Sequence, residues 1–193
     1  MANLTPPART RAGTQRLSVV TIGKMTSTSD TTMPRAVNAA IMTSDAFVWW
    51  LHTMQWTHAK AAQELGLSMS RIDEMLRGAK RGTNTPTTIP AYMSLACAAL
   101  AEGLPPFAWD EEKGVMPPDD FERWRAEMGK ELDLGKPVPF RQIAGMLGLS
   151  SVETPAYWAR GVRRDGKPAP IYRDRALALN ALLHGLMPWT AER

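Results

Sequence analysis

WTHAKAAQELGLSMSRIDEMLRG, residues 56–78, is the stretch on which the fold turns. Thr57 is a good helix cap, and behind it Ala61, Ala62 and Leu65 recur at the spacing of one helical face. Gly66 is a natural stop, because glycine enters the left-handed backbone region at little steric cost. Ser68 caps the next helix, whose apolar stripe is Ile72, Met75 and Leu76 and whose end is Gly78. Two short helices joined through one glycine meet at a large angle, and Ala62 lets them approach closely. Upstream, Ser44 or Asp45 can cap a helix carrying Phe47, Trp50, Leu51 and Met54 at i, i+3, i+4, i+7. Downstream, a polar loop with Lys80, Arg81, Gly82 and Pro86 leads past Pro90 to an apolar helix, Tyr92 to Ala101, that stops at Gly103.

The same order of events returns about 82 residues later. AQELGLS (62–68) matches AGMLGLS (144–150), RGAKRGTNTP (77–86) pairs loosely with RGVRRDGKPAP (160–170), and EGLPPF (102–107) with HGLMPW (184–189). A repeat at this interval, with glycines at matching helix ends, reads as duplication of one small helical unit. The second unit should open near Asp120, with Phe121, Trp124 and Met128 on one face, and its connection Glu131–Val138 is longer. Its third helix is constrained by Pro155, which is comfortable only in a first turn. That predicts a cap at Thr154 and a short helix Pro155–Arg160, leaving Ser150, Ser151, Glu153 and Thr154 in a loop, with Tyr157 outward and Trp158 inward.

The stretch 56–78 resembles the helix-turn-helix of the lambda-repressor-like (Xre/Cro) family, with Thr57, His58, Ala62, Leu65, Gly66, Leu67, Ser68, Ile72, Arg77 and Gly78 in register. The resemblance extends over roughly 45–106; His58 stands where glutamine is common and Met75 where tryptophan is. The second copy, PFRQIAGMLGLSSVETPAYWARG (139–161), keeps Ile143, Ala144, Leu147, Gly148, Leu149 and Ser150, with Trp158 at the aromatic position. It departs from the pattern in a third-helix segment one residue longer that contains Pro155.

The fold this implies is all-α: two tandem lambda-repressor-like helix-turn-helix domains, 44–108 and 120–193. They are preceded by a flexible basic arm, 1–43, and joined by an acidic, proline-containing linker, 109–119. Within the arm only Leu17–Ile22 has the composition of a short strand. Extended, a linker of ~11 residues reaches ~36–40 Å, enough to set two reading helices one turn of DNA apart.

Carried over residue by residue, the resemblance implies double-stranded DNA as partner. His58 and Ser68, at helix starts, would touch phosphates. Met69, Ser70, Arg71, Asp73 and Glu74 would lie on or near the reading face, and Arg71 could pair bidentately with guanine. Lys80 and Arg81 would lie against the backbone or the minor-groove edge. In the second copy Ser150, Ser151 and Thr154 fall at the equivalent loop, and Arg141, Arg163, Arg164 and Lys167 could hold phosphates. The two carboxylates, Asp73 and Glu74, would repel phosphates or accept from cytosine. The first copy is expected to read bases, the second to position the chain or bind a partner.

Composition agrees with a helical, non-catalytic chain. Of 193 residues, 44% are apolar, enough for a core. The longest apolar runs, Leu95–Ala101 and Ala46–Leu51, are far short of the ~20 residues that span a bilayer, and no secretory apolar stretch opens the chain. One cysteine, Cys97 in LACAALA, excludes an internal disulfide and reads as a buried, inert thiol. His52, His58 and His184 are too scattered for a metal site, and there is no P-loop, GxGxxG, HExxH or GxSxG element, so neither cofactor nor catalysis is expected. The net charge of +4 is unevenly spread: residues 1–40 carry +4, 45–108 are neutral, 109–120 carry −4 and 121–193 carry +4. A basic arm and a basic carboxyl-terminal half suit a polyanion.

The tryptophans and methionines Trp49, Trp50, Met54, Trp56, Trp124, Met128, Trp158 and Trp189 read as core, with room for an exposed one at a contact between units or chains. The expected function is a sequence-specific transcriptional regulator, a repressor of a phage or mobile element, cytoplasmic and nucleoid-associated. It would work as a pseudo-dimer in one chain, as a homodimer, or with a protein partner of the transcription machinery. The alternative is a protein-interaction module of the same fold, an antitoxin or anti-activator that sequesters a partner.

Overall fold

Local chemistry sets the helix ends. In the computed structural model, which describes residues 42–190, Thr43 opens α1 (Ser44–Met54), its hydroxyl accepting from the Ala46 amide at 3.1 Å. Thr57 does the same for α2 (His58–Leu65), accepting from Lys60, and Ser68 for α3 (Met69–Arg77), accepting from Arg71. Then come α4 (Ala91–Ala101), α5 (Pro118–Glu131), α6 (Phe140–Leu147), α7 (Glu153–Arg160) and α8 (Arg173–Leu183). The described residues are thus all-α, with four isolated antiparallel bridges and no extended strand. None of these helices is long and apolar enough to cross a membrane. The arm's arginines and the short strand expected at Leu17–Ile22 lie outside the described residues.

Three expectations are corrected. Met42 is buried and Thr43, not Ser44 or Asp45, is the cap, so the last two residues assigned to the arm belong to the body. Helix α7 begins at Glu153, two residues before Pro155, so Thr154 is helical rather than a cap. Proline is tolerated there because it is the third helical residue, where its missing N–H has no partner within the helix anyway. Residues 109–119 are not an extended spacer. Asp110 bridges Val115, the Gly114 amide donates to the Asp110 carbonyl, and buried Met116 bridges Ile171, with its amide on the Ile171 carbonyl at 3.0 Å. Pro118 already begins α5, so the linker is a folded strap.

The core is organised about α4 and α8, which pack on one another. α4 is apolar nearly all round, with Met93, Leu95, Ala96, Cys97 and Ala99 buried, and α8 buries Ala176 through Leu179 and Ala181 beyond its charged first turn. A helix apolar on every side can only be interior. The first helix of each half anchors to this pair through an indole. Trp50, stacked on Phe47, donates to the Cys97 carbonyl at 3.0 Å, and Trp124, stacked on Phe121, donates to the Leu179 carbonyl at 2.8 Å. Each bond satisfies a buried N–H that would otherwise cost about 1–3 kcal/mol.

The halves also exchange contacts reciprocally. The Phe107 amide, beyond α4, donates to the Ala176 carbonyl of α8, and the Trp189 amide, beyond α8, donates to the Ser94 carbonyl of α4. Helix α2 packs on α8, and α6 on α4. At those two seams sit the glycines that end α2 and α6. A Cβ on Gly66 (φ 67°) would lie 2.7 Å from the Arg173 Cβ, and one on Gly148 (φ 63°) would lie 2.6 Å from the Ala91 Cβ. Glycine is therefore required twice at each place, for its left-handed backbone and for the close approach. On the α2–α8 seam Arg173 reaches back to donate to the Glu64 carbonyl at 2.9 Å and to the Glu64 carboxylate at 3.2 Å. Lys60 first, with Arg173 behind it, holds the Glu64 carboxyl below its usual range.

Candidate nucleic-acid interface

Two short helix pairs present the surfaces in question: α2–α3, turned through Gly66, and α6–α7, turned through Gly148. Along α3, Ser70, Asp73 and Arg77 follow one another at three- and four-residue steps, with Met69 four residues before Asp73; Met69, Ser70 and Arg77 are exposed and Asp73 is partly so. His58, the first residue of α2, lies opposite, its Nδ1 3.7 Å from an Asp73 carboxylate oxygen. His58, Asp73, Leu76, Arg77 and Arg81 line one open concavity. The exposed Ser68 hydroxyl is engaged as the α3 cap, accepting from the Arg71 amide.

Arg71 is not on that surface. Its guanidinium turns back, pairing with Glu74 at 3.3 Å and donating to the Thr88 carbonyl at 3.4 Å. Glu74 is neutralised in the same contact, so the carboxylate left on the outer face of α3 is Asp73, beside His58 and Arg77. Lys80 and Arg81 are fully outward on a loop pinched by the Ala79–Pro86 bridge, with the Lys80 amide donating to the Thr85 carbonyl and the Thr87 amide to that of Gly78.

The second half repeats this loop. Val162 bridges Pro168, the Arg163 amide donates to the Lys167 carbonyl and the Ala169 amide to that of Gly161. Exposed Arg163 and Arg164 thereby take the places of Lys80 and Arg81. Together with Glu153, Ala156, Tyr157 and Arg160 they line a second concavity. The Tyr157 hydroxyl donates to the Glu153 carboxylate, which pushes the phenol above its usual range, and the Arg160 guanidinium lies 5.2 Å from the Tyr157 ring centre. Lys167 is paired with Asp165 at 3.2 Å, which leaves it a weaker claim on an outside anion. Ser151, two residues before α7, accepts from the Glu153 amide at 3.2 Å; Ser150 is exposed beside it, and Thr154 is half-buried in the first turn. Arg141 is exposed in the first turn of α6.

The structure therefore gathers His58, Asp73 and Arg81 on one side, and Arg163 and Arg164 on the other, while withdrawing Arg71 and Glu74. It adds two residues absent from the sequence-based set, Arg77 and Arg160, each the last residue of its third helix. The signal for them was present: Arg77-Gly-Ala-Lys80-Arg81 and Arg160-Gly-Val-Arg163-Arg164 are the same basic pentad. Among the described residues no carboxylate pairs with Lys80, Arg81, Arg163 or Arg164, whereas most other cations of the body are paired.

Asymmetry appears elsewhere. On α1, Val48 and Trp49 are about half exposed. The residues one and two places beyond the stacked phenylalanine of α5 are Glu122 and Arg123, and both are ion-paired. An apolar concavity beside α1 is lined by Val48, Leu51, His52, Trp56 and Leu76, among others. Against protein-family models, curated proteins and solved structures, the chain finds no match.

Proposed function

We propose that this chain is a sequence-specific double-stranded DNA-binding regulator of transcription. In this reading it is built of two tandem helix-turn-helix units of the lambda-repressor-like kind and acts by occupying its site, as a repressor does, with no covalent chemistry. The observation that carries the reading is the basic triad at the end of each third helix, Arg77–Lys80–Arg81 and Arg160–Arg163–Arg164, exposed in both halves and, among the described residues, in no ion pair. Two cations on a pinched loop with a third at the adjoining helix end suit a phosphate backbone, and the exposed first turn of α3, with Met69 and Ser70, is what would reach base edges. Ser68 caps α3, a helix start whose N–H groups suit phosphate oxygens.

The test is fluorescence anisotropy on the chain's own upstream DNA and on scrambled DNA, over a salt series. The expected result is at least ~10³-fold preference for the native site and a steep loss of affinity with salt. Lys80→Ala or Arg163→Ala should weaken native and scrambled DNA alike and lower the salt slope by about one. No binding to either DNA at low salt would refute the reading. One observation favours the second reading, a protein-interaction module: exposed Val48 and Trp49 on α1, where α5 carries an ion-paired Glu122 and Arg123. That outcome would send the search to a protein partner of the α1 face.

A further inference from the structure

We infer that a single chain recognises one site made of two unequal half-sites in inverted orientation at a fixed spacing. This rests on the DNA-binding reading and concerns what kind of DNA fits. Two units strung along a chain would ordinarily read direct repeats at a spacing set by their linker. The contacts here are of another type. Phe107 reaches Ala176 while Trp189 reaches Ser94; Gly66 abuts Arg173 while Gly148 abuts Ala91; α2 packs on α8 while α6 packs on α4. Contact of i with j′ matched by contact of i′ with j is the signature of a two-fold relation. Its axis passes through the α4–α8 contact, where equivalent helices meet. Two reading elements related by a two-fold meet antiparallel DNA strands in opposite senses, so their half-sites must be inverted.

The spacing is fixed by the same contacts. The strap is closed by the Asp110–Val115 and Met116–Ile171 bridges, and Arg173 ties α8 to the end of α2. Nothing in this arrangement leaves one half free to slide to another register. The apolar faces of α4 and α8 are consumed within the chain, so no second copy is needed to complete the pair.

The half-sites are unequal because the reading faces are. Counted back from the matched arginines Arg77 and Arg160, Ser70 stands against Glu153 and Asp73 against Ala156. Side chains of different charge and size at equal positions cannot prefer the same bases.

The experiment uses the full chain and a pool of duplexes ~30 base pairs long with a randomised centre, carried through rounds of selection and sequencing. The winning duplex is then weighed with its protein by native mass spectrometry. The expected result is two different motifs in inverted orientation, bound by one chain. Inverting one motif, or inserting ~5 base pairs between the two so that they face opposite sides of the helix, should lower affinity at least ~100-fold. Ser70→Ala should change base preference in one motif and Glu153→Ala in the other, while Arg77→Ala and Arg160→Ala should weaken binding without changing either motif. Direct repeats, a perfect palindrome holding two chains, or indifference to the ~5-base-pair insertion would overturn the inference while leaving DNA binding intact. No enrichment at all would overturn both.

Discussion

Replacing Gly148 by alanine should be among the most damaging single-methyl changes in this chain, and its size can be worked from two separate costs. The first is conformational: Gly148 sits at φ 63°, where an L-residue with a Cβ loses about 1–2 kcal/mol. The second is steric: the new methyl would lie 2.6 Å from the Ala91 Cβ, well inside the 3.5–4.0 Å at which carbon atoms rest. Relief requires α6 to back away from α4, and overpacking of that kind costs about 1–3 kcal/mol. The total is about 2–5 kcal/mol, or a fall of roughly 5–15 °C in Tm for a unit of this size. Gly185→Ala is the control, since Gly185 has φ 66° but no atom within 4 Å of a Cβ there, leaving only the backbone cost. Urea denaturation followed by tryptophan fluorescence separates the two. The double change Gly148→Ala with Ala91→Gly should recover the steric part and leave the strain. A Gly148→Ala loss no larger than that of Gly185→Ala, or no recovery in the double variant, would refute the close approach of α6 to α4 and, with it, the reciprocal seam.

Two further outcomes test other parts of the structure. Asp174 is almost fully buried at the start of α8, and burial pushes its carboxyl above the usual range despite the neighbouring Arg175. A raised acid binds its proton more tightly in the folded state, so this residue's contribution to stability is least favourable above its folded pKa and improves as pH falls through it. Wild type should therefore gain stability relative to Asp174→Asn between pH 7 and about 4, measured by urea melts at each pH; a constant difference would contradict the assignment. Arg71→Ala should cost about 0.5–1.5 kcal/mol of stability, because it loses Glu74 and the Thr88 carbonyl, yet change DNA preference less than Ser70→Ala does. If Arg71→Ala instead abolished preference, its withdrawal from the reading face would be refuted.

The difference over Arg71 shows which parts of the molecule a sequence makes legible. Helix ends are local chemistry, and Thr57, Gly66, Ser68 and Gly78 each mark the boundary their residue type implies. The tryptophan and phenylalanine faces of α1 and α5 are equally plain from spacing, and so is the burial of Cys97 within LACAALA. What faces what is not. The bond from Phe107 to Ala176 joins residues with no periodic relation, and its only trace is the repeat itself. The strap 109–119 looked like a spacer because its acidic residues and prolines favour solvent. Its fixation comes from Met116, an apolar residue that the composition of the segment hides, and from Ile171 far along the chain. Arg71 carried a readable warning, since Glu74 stands three residues on, the distance at which helix side chains meet. Pro155 pointed correctly to a first turn but not to which position within it, because all of the first helical residues lack an internal acceptor for their N–H.

Where the two halves differ is itself an argument about how the chain works. The matched positions lie where the halves meet or where each anchors its core: Gly66 and Gly148, Leu65 and Leu147, Trp50 and Trp124 with their carbonyl partners. The mismatches lie on outward faces: Val48 and Trp49 against Glu122 and Arg123, Ser70 against Glu153, Asp73 against Ala156. In a dimer of identical chains, a change on one outer face is imposed on both. Joining the halves in one chain removes that constraint while the seam still demands its glycines and its indoles. The two basic triads stay alike because each meets the same chemistry in the proposed complex, a phosphate backbone that carries no sequence. On this logic the functional asymmetry of the chain should be sought in α1, α3 and α7, and substitutions that make α7 a copy of α3 should move its binding toward a symmetric site without disturbing the seam.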